Sequence, residues 1–375
     1  MTRLVFAGIL LTVCNAAEAQ EPASSNVRGA AYPAIHSDLT VTFQVKAPTA
    51  QAVQVMPGGG SNGLGKGPFE MTKSADGIWT ATIGPVQPGF HYYWLLIDGV
   101  PVNDPMSETY FGWARQSSGI EVPDPALDFY EPKNVPHGDV HIHWYRSTVT
   151  GKMRRAYVYT PPGYGMAARK RYPVLYLQHG SGESERGWTA QGRANFILDN
   201  LIADGKAVPM IVVMDNGYAA QPGAGVAGQR GNEAFGDMLL ADLIPEIDRS
   251  YRTQPDRLHR AIAGLSMGGG QALSVGLAHL DRFGYIGSFS GAGGRNSDWK
   301  TAYGGAFADA SALNKHLKLL WFGCGTGDSL FAGAKKLHEN LDTAGIRHTW
   351  WEGPGLHEWQ VWRKHLKEFA PLLFR

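Results

Sequence analysis

The spacing of apolar residues changes along the chain, and each change marks a different architecture. Between residues 39 and 99, apolar and polar positions alternate in "LTVTFQVKA" (39–47), "AVQVMP" (52–57) and "GIWTATIG" (77–84), and "HYYWLLIDG" (91–99) follows. A period of two places one face of a strand in a core and the other in water. Turn signals separate these segments: Pro57-Gly58-Gly59-Gly60, Ala75-Asp76-Gly77 and Asp98-Gly99. Short strands punctuated in this way predict a β-sandwich over residues 28–113. The small polar residues 20–30 read as a flexible lead. Residues 114–140 lack periodicity and hold Pro123, Pro125, Pro132 and Pro136, so they read as a linker.

From residue 141 to 375 the pattern is different. Unbroken apolar runs such as "YPVLYLQHG" (172–180), "VPMIVVMDNG" (208–217) and "HRAIAGLS" (259–266) predict strands buried on both faces. "RRAYVYTPPGY", "YIGSFSG", "LKLLWFGCG" and "RHTWWEGPG" supply further strands. "FGDMLLADLIPEIDRSY", "GGQALSVGLAHL", "AGAKKLHENLDTAG" and "EWQVWRKHLKEFAPLLF" have helical spacing. Strand–helix alternation over this length predicts an α/β domain with a mainly parallel sheet.

In such sheets ligands bind beyond the carboxyl ends of the strands, so the residues that follow each apolar run carry the candidate chemistry. After "HRAIAG" comes Leu265-Ser266-Met267-Gly268, with Gly264 and Gly268 two residues either side of the serine. A tight strand-to-helix turn needs small residues there and thrusts the serine outward. A serine hydroxyl needs a base to become a nucleophile at neutral pH. Asp328 follows "LKLLWFGCG" and His357 follows the last strand candidate, which gives the order Ser, Asp, His of an α/β-hydrolase. His338 falls in a helical pattern and His348 enters a strand, so both read as structural. An oxyanion needs backbone donors; Met267 N–H at the helix start and the loop His179-Gly180-Ser181-Gly182 supply candidates, Ser181 first and Gly182 next. Glu183, Arg186 and Trp188 after that loop, Asn216 and Tyr218 after "MIVVMD", and Trp359 beside His357 are candidate substrate contacts.

Composition removes other classes. The net charge is +1 and no block of like charge occurs, which speaks against nucleic acid and against a polybasic membrane anchor. Arg3, the apolar run Leu4–Cys14 and Ala17-Glu18-Ala19 read as a signal peptide over residues 1–19, so the protein is expected to be secreted, into the periplasm or beyond the cell. Cys324 then remains alone, and its apolar flanks suggest a buried structural thiol. His141 and His143 share a strand face but have no evident third ligand, and no phosphate loop or dinucleotide fingerprint stands out. No metal and no cofactor is therefore expected.

"VYTPPGY", "LYLQHGSGESERGW", "DLIPEIDRSYRT", "AGLSMGGGQAL", "FGYIGSFSGA", "GTGDSL" and "GLHEWQVWRKHL" together resemble the esterase D-like carbohydrate esterase family 1, over residues 140–375. The resemblance implies an α/β-hydrolase fold, the triad Ser266, Asp328 and His357, and hydrolysis of feruloyl esters on arabinoxylan or xylo-oligosaccharides. Acetylxylan esterase, siderophore (catecholate trilactone) esterase and a catalytically dead glycan-binding protein are the alternatives. Glu358 departs from the aspartate common after the family's histidine, with little consequence expected. The N-terminal strands resemble the early-set β-sandwich related to carbohydrate-binding module family 48. Its glucan-binding signature is not clear here, so the module is expected to bind glycan or to pack on the catalytic domain.

Overall fold

Two antiparallel sheets packed face to face account for the alternating pattern. In the computed structural model, which describes residues 20–59, 62–124, 126–166, 168–223, 234–292 and 298–375, the sandwich strands are β1 (Gln20–Pro22), β2 (Ala34–His36), β3 (Val41–Lys46), β4 (Val53–Pro57), β5 (Phe69–Glu70), β6 (Thr72–Lys73), β7 (Ile78–Ile83), β8 (Gly89–Ile97), β9 (Val100–Val102), β10 (Thr109–Gly112) and β11 (Arg115–Val122). One sheet runs β1-β2-β3-β7-β6, the other β10-β11-β8-β4-β5 with β9 on β8. Val41, Phe43 and Val45 of β3 meet Val53, Val55, Tyr93, Leu95, Ile120 and Val122 across the gap. The signal-peptide reading concerns residues 1–19, outside the described residues.

Two sequence expectations change here. The lead is not free: Gln20–Pro22 pairs with β2, Gln20 opposite His36. The linker reading of residues 114–140 fails at its start, because Arg115–Val122 is a strand between β10 and β8. It shows no alternation because six consecutive residues, Ser117 to Val122, are buried on both faces. The polar ones are satisfied internally: Ser117 Oγ donates to Gly112 O (3.2 Å), and Ser118 Oγ accepts from Asp104 N–H (2.8 Å).

The second domain is an eight-stranded sheet built from β12 (Asp139–Arg146), β13 (Met153–Thr160), β14 (Val174–Gln178), β15 (Ile211–Asp215), β16 (Arg260–Leu265), β17 (Tyr285–Phe289), β18 (Leu319–Gly325) and β19 (Thr349–Gly353). The order is β12-β13-β15-β14-β16-β17-β18-β19; the first two junctions are antiparallel and the rest parallel. Helices α1 (Ala194–Ala203), α2 (Met267–Ala278), α3 (Phe331–Thr343) and α4 (Trp359–Phe369) are those that position the site. The helical segment from Phe235 to Ser250 contains a π-turn over Leu239–Leu243. The fold is an α/β-hydrolase domain with an N-terminal β-sandwich.

The sandwich is seated on the hydrolase through residues that the strand pattern already contains. Tyr93 and Leu95 of β8 point into the sandwich core, while their neighbours Phe90 and Tyr92 join Trp188, Trp359 and Trp362 in the hydrolase core. Strand β8 is apolar on both faces because each faces a different domain. Arg363 of α4 reaches Glu121 of β11 through two hydrogen bonds (2.7 and 2.8 Å), with both side chains buried. Burial works to raise the Glu121 pKa, but the adjacent Arg363 charge holds it below the usual carboxylate range. The same guanidinium donates through Nε to Gln191 O (2.9 Å) and lies 4.5 Å from the Tyr130 ring centre.

Candidate active site

Ser266 joins β16 to α2 and carries φ +50°, ψ −116°, a conformation an L-residue holds only when its surroundings impose it. Its amide donates to Phe289 O of the next strand (2.8 Å), which pins the turn. The flanking glycines are sterically required: a Cβ on Gly264 would stand 2.5 Å from the Gly268 carbonyl carbon, and one on Gly268 would stand 2.5 Å from His179 O. The turn therefore projects the hydroxyl out of the sheet at the head of α2.

His357 Nε2 lies 2.9 Å from Ser266 Oγ, and His357 Nδ1 lies 2.7 Å from Asp328 Oδ2. The three residues come from the ends of β16, β18 and β19, and the structure brings them together as the motif order implied. Since a carboxylate only accepts, Nδ1 carries the proton and Nε2 presents its lone pair to the serine. Burial acts to raise the Asp328 pKa, yet His357 and the Leu330 amide (2.9 Å to Oδ1) hold the carboxyl below its ordinary value. The loop carrying Asp328 is tied to the loop carrying His357: Thr326 N–H donates to Gly353 O (2.8 Å) and Gly327 N–H to Gly355 O (2.9 Å). The ring of Trp362 stands edge-on to His357, with centroids 5.0 Å apart, and fixes the imidazole plane.

The oxyanion candidates separate. Met267 N–H is at the first turn of α2, where amides lack an intrahelical acceptor. Buried His179 accepts from Gly217 N–H at Nε2 (2.9 Å), so its Nδ1 donates to Gly180 O (2.8 Å). A trans peptide points its N–H opposite its C=O. Gly180 O turned toward His179 therefore aims Ser181 N–H away from that ring. Gly182 is corrected as a donor: its amide is taken by Tyr218 Oη at 2.6 Å, because the loop bends at Gly182 with φ +78°.

A pocket of about 420 Å³ opens over Ser266 and His357. Leu265, Glu183, Trp359 and Trp362 line it from the hydrolase, and Asn62, Phe90, Tyr92, Trp113 and Ala114 line it from the sandwich. Sequence reasoning missed Trp113 and Ala114. They form the two-residue tip between β10 and β11, with φ +57° and +58°. Both central residues left-handed is the hairpin turn that Asn-Gly usually fills. An exposed aromatic at such a tip was the available signal. Gly59 makes room for it, since a Cβ there would lie 2.4 Å from Trp113 Cζ2.

The substrate-contact expectations divide. Glu183 and Trp359 line the pocket. Burial pushes Glu183 up to about 7, while the Gly180 amide (3.2 Å), Tyr92 Oη (3.2 Å) and the Trp359 indole act in the opposite sense. Asn216 and Tyr218 instead line a broader groove of about 1090 Å³ on the other side of the Ser181–Glu183 loop, beside Trp144 and Arg155. Trp188 is corrected: it is 1% exposed, its indole donates to Gln178 O (2.9 Å), and it packs at 5.3 Å on Trp359, so it supports the pocket wall from behind. Arg186 is corrected as well; it is exposed at the start of a short helical turn and lines neither cavity. Glu358 has more consequence than expected. Its extra methylene over aspartate carries Oε1 to Gly63 N–H (3.0 Å) and near His91 Nδ1 (3.4 Å) in the sandwich. Cys324 is buried, and burial pushes its thiol up to about 12. His141 and His143 bond Thr160 Oγ1 (3.1 Å) and Glu246 Oε1 (3.0 Å).

Fold and site together present a hydrogen-bonded Ser–His–Asp array at the strand ends of an α/β-hydrolase sheet. The chain belongs to the Esterase family, whose model matches residues 147–373. It is 40% identical over 361 residues to the endo-1,4-beta-xylanase/feruloyl esterase of Xylanibacter ruminicola, covering 94% of this chain and 47% of that protein. The chain thus spans about half the length of this curated relative. The carbohydrate esterase family 1 ferulic acid esterase of Anaeromyces mucronatus, solved with ferulic acid, has a TM-score of 0.58 at 26% identity, over 66% of this chain and 96% of that one. The enterobactin esterase of Shigella flexneri has a TM-score of 0.66 at 18% identity, over 88% of this chain and 92% of that one. That likeness is one of fold, and its extent takes in the sandwich as well as the hydrolase. Among the described residues no helix is long and apolar enough to cross a membrane.

Proposed function

We propose that the protein is a secreted serine esterase that hydrolyses feruloyl (hydroxycinnamoyl) esters of arabinoxylan through an acyl-enzyme. The observation that carries this reading is the hydrogen-bonded array Ser266–His357–Asp328 at the floor of an aromatic-walled pocket. His357 Nε2 takes the Ser266 proton as Oγ attacks the ester carbonyl, and the π electrons move onto the carbonyl oxygen. Met267 and Ser181 amides hold that oxyanion, each worth about 3–4 kcal/mol of transition-state stabilisation. Collapse expels the sugar alkoxide, which His357 protonates. Water, deprotonated by His357, then releases the acid and restores Ser266. Asp328 orients the imidazole and stabilises its cation.

The printed names of the Xylanibacter relative and of the Anaeromyces structure support a hydroxycinnamoyl substrate. Phe90, Tyr92, Trp113, Trp359 and Trp362 offer ring surfaces for a phenolic acyl group, whereas acetyl would fill little of the pocket. A panel of methyl ferulate, acetylated xylan and a catecholate trilactone tests the reading. Hydrolysis of methyl ferulate that is abolished in Ser266→Ala is expected. Turnover of only the acetyl or only the trilactone substrate would replace it with an acetylxylan or siderophore esterase.

A further inference from the structure

Away from the triad, two histidines and a carboxylate converge at the junction of α3 and β19. His338 and Asp342 stand one turn apart on α3, on one face, and His348 immediately precedes β19. His348 is held rigidly. Its side chain is 2% exposed, its ring lies 5.8 Å from Phe322, and its Nδ1 lies 2.8 Å from Ile346 O. A carbonyl can only accept, so Nδ1 bears the proton and Nε2 faces outward toward His338. His338 is held as well, stacked on the Trp350 indole with centroids 5.0 Å apart and planes within 5°.

The remaining contacts leave the carboxylate facing both rings without a hydrogen bond to either. His338 Nδ1 and His348 Nε2 stand 2.8 Å apart; since His348 Nε2 is unprotonated, His338 Nδ1–H donates to it, and both nitrogens are turned to the same point. Asp342 Oδ1 lies 3.8 Å from His348 Nε2, and Oδ2 lies 3.6 Å from His338 Nε2. Both are too long for a hydrogen bond. The carboxylate therefore faces both rings without bonding to either. One ligand atom from each residue lies within 4.8 Å of the others, and among the described residues no other group of three such side chains converges in this way.

We propose that His338, Asp342 and His348 form a binding site for a divalent transition-metal ion of the zinc type. Two imidazoles and one carboxylate suit zinc, cobalt or nickel better than calcium or magnesium, which take oxygen ligands. Bonds of about 2.0–2.2 Å place neighbouring ligand atoms about 3.3 Å apart in a tetrahedron. The nitrogens separate slightly and Asp342 swings inward, which its 63% side-chain exposure permits. The ion takes the place of the His338 Nδ1 proton, which moves to Nε2 as the ring changes tautomer; a water takes the fourth position, and the Ile346 carbonyl acts as the outer partner that orients His348. It would tie α3, which starts three residues after Asp328, to β19, which leads into His357. Its role is structural. It touches neither Ser266 nor the pocket, so the proposal stands apart from the esterase reading.

The test uses the full chain without a histidine tag, stripped with EDTA and desalted. Titration calorimetry with zinc chloride is expected to give one ion per chain, and the melting temperature is expected to rise with the logarithm of free zinc. Cobalt chloride is expected to produce visible absorption bands of a low-symmetry site. His338→Gln and Asp342→Asn, both at partly exposed positions, are expected to lose the isotherm, the thermal shift and the cobalt bands while retaining ester hydrolysis. Absence of one-to-one binding overturns the proposal. So does binding that survives unchanged in both variants, since the ion then sits elsewhere. If His338→Gln misfolds, Asp342→Asn alone decides between these outcomes.

Discussion

The backbone amide of Ala114, at the tip of a sandwich hairpin, donates to the carbonyl of Gly182 at 2.8 Å, in the loop that also carries the Ser181 amide. One domain thus braces the Ser181–Glu183 loop of the other. The neighbouring Trp113 is 55% exposed and forms the pocket's outer wall. Trp113→Ala is expected to lower kcat/KM for methyl ferulate about tenfold, or ~1.4 kcal/mol, the scale of a lost aromatic contact. Hydrolysis of p-nitrophenyl acetate, too small to reach the wall, should change much less. An equal fall for both esters would mean that the tip positions the loop and does not touch the acyl group.

The triad assignment makes a sharper kinetic prediction. Asp328→Asn keeps the shape but leaves His357 without the acceptor that sets its tautomer. A drop in kcat on the order of 10⁴ is expected, with KM nearly unchanged. Retention of even a tenth of the activity would remove Asp328 from the role. The circular dichroism of the variant should match the parent, which separates chemistry from folding.

Glu183 links stability to pH. The folded chain holds its proton up to about pH 7, against an ordinary value of 4.5. Between those values the folded state binds more protons than the unfolded state, so this group's contribution weakens stability as pH rises. The full effect is on the order of 3 kcal/mol. Glu183→Gln cannot ionise. Its melting temperature relative to the parent should therefore rise between pH 5 and pH 8. A difference that stays constant over that range would show that the buried carboxyl does not titrate there.

The Arg363–Glu121 pair joins the domains without access to water. Removing Arg363 leaves buried Glu121 with Arg193, 3.7 Å away, as its remaining counter-charge, so Arg363→Met is expected to cost about 3 kcal/mol in urea unfolding. The double variant Arg363→Met, Glu121→Leu should recover most of that loss, because it leaves no charge unpaired. If the double variant is no better than the single, the pair holds the interface by geometry that apolar packing cannot replace.

The sheet and the site's hydrolase half were legible because they follow local rules. An apolar run followed by a glycine-flanked serine specifies a strand and a strained turn wherever it occurs. Asp328 and His357 could be chosen over other carboxylates and histidines because strand ends face one edge of a parallel sheet. Arg186 and Trp188 were misplaced because adjacency to an oxyanion loop does not fix which way a helical turn faces. His338 and His348 are unremarkable separately, since nine residues and a chain reversal lie between them.

The sequence alone therefore determined most strands and helices of the α/β domain and the strand-end positions of Ser266, Asp328 and His357, because periodicity and tight-turn sterics act within a few residues. Tertiary structure decided what stands opposite them. Strand β11 is hidden in the sequence because both its faces are buried, and β8 is apolar on both sides because two domains claim it. The reach of Glu358 to Gly63 and the seat of Trp113 over the pocket join residues hundreds of positions apart. Such contacts depend on how two domain surfaces fit, a property that no short window of residues encodes.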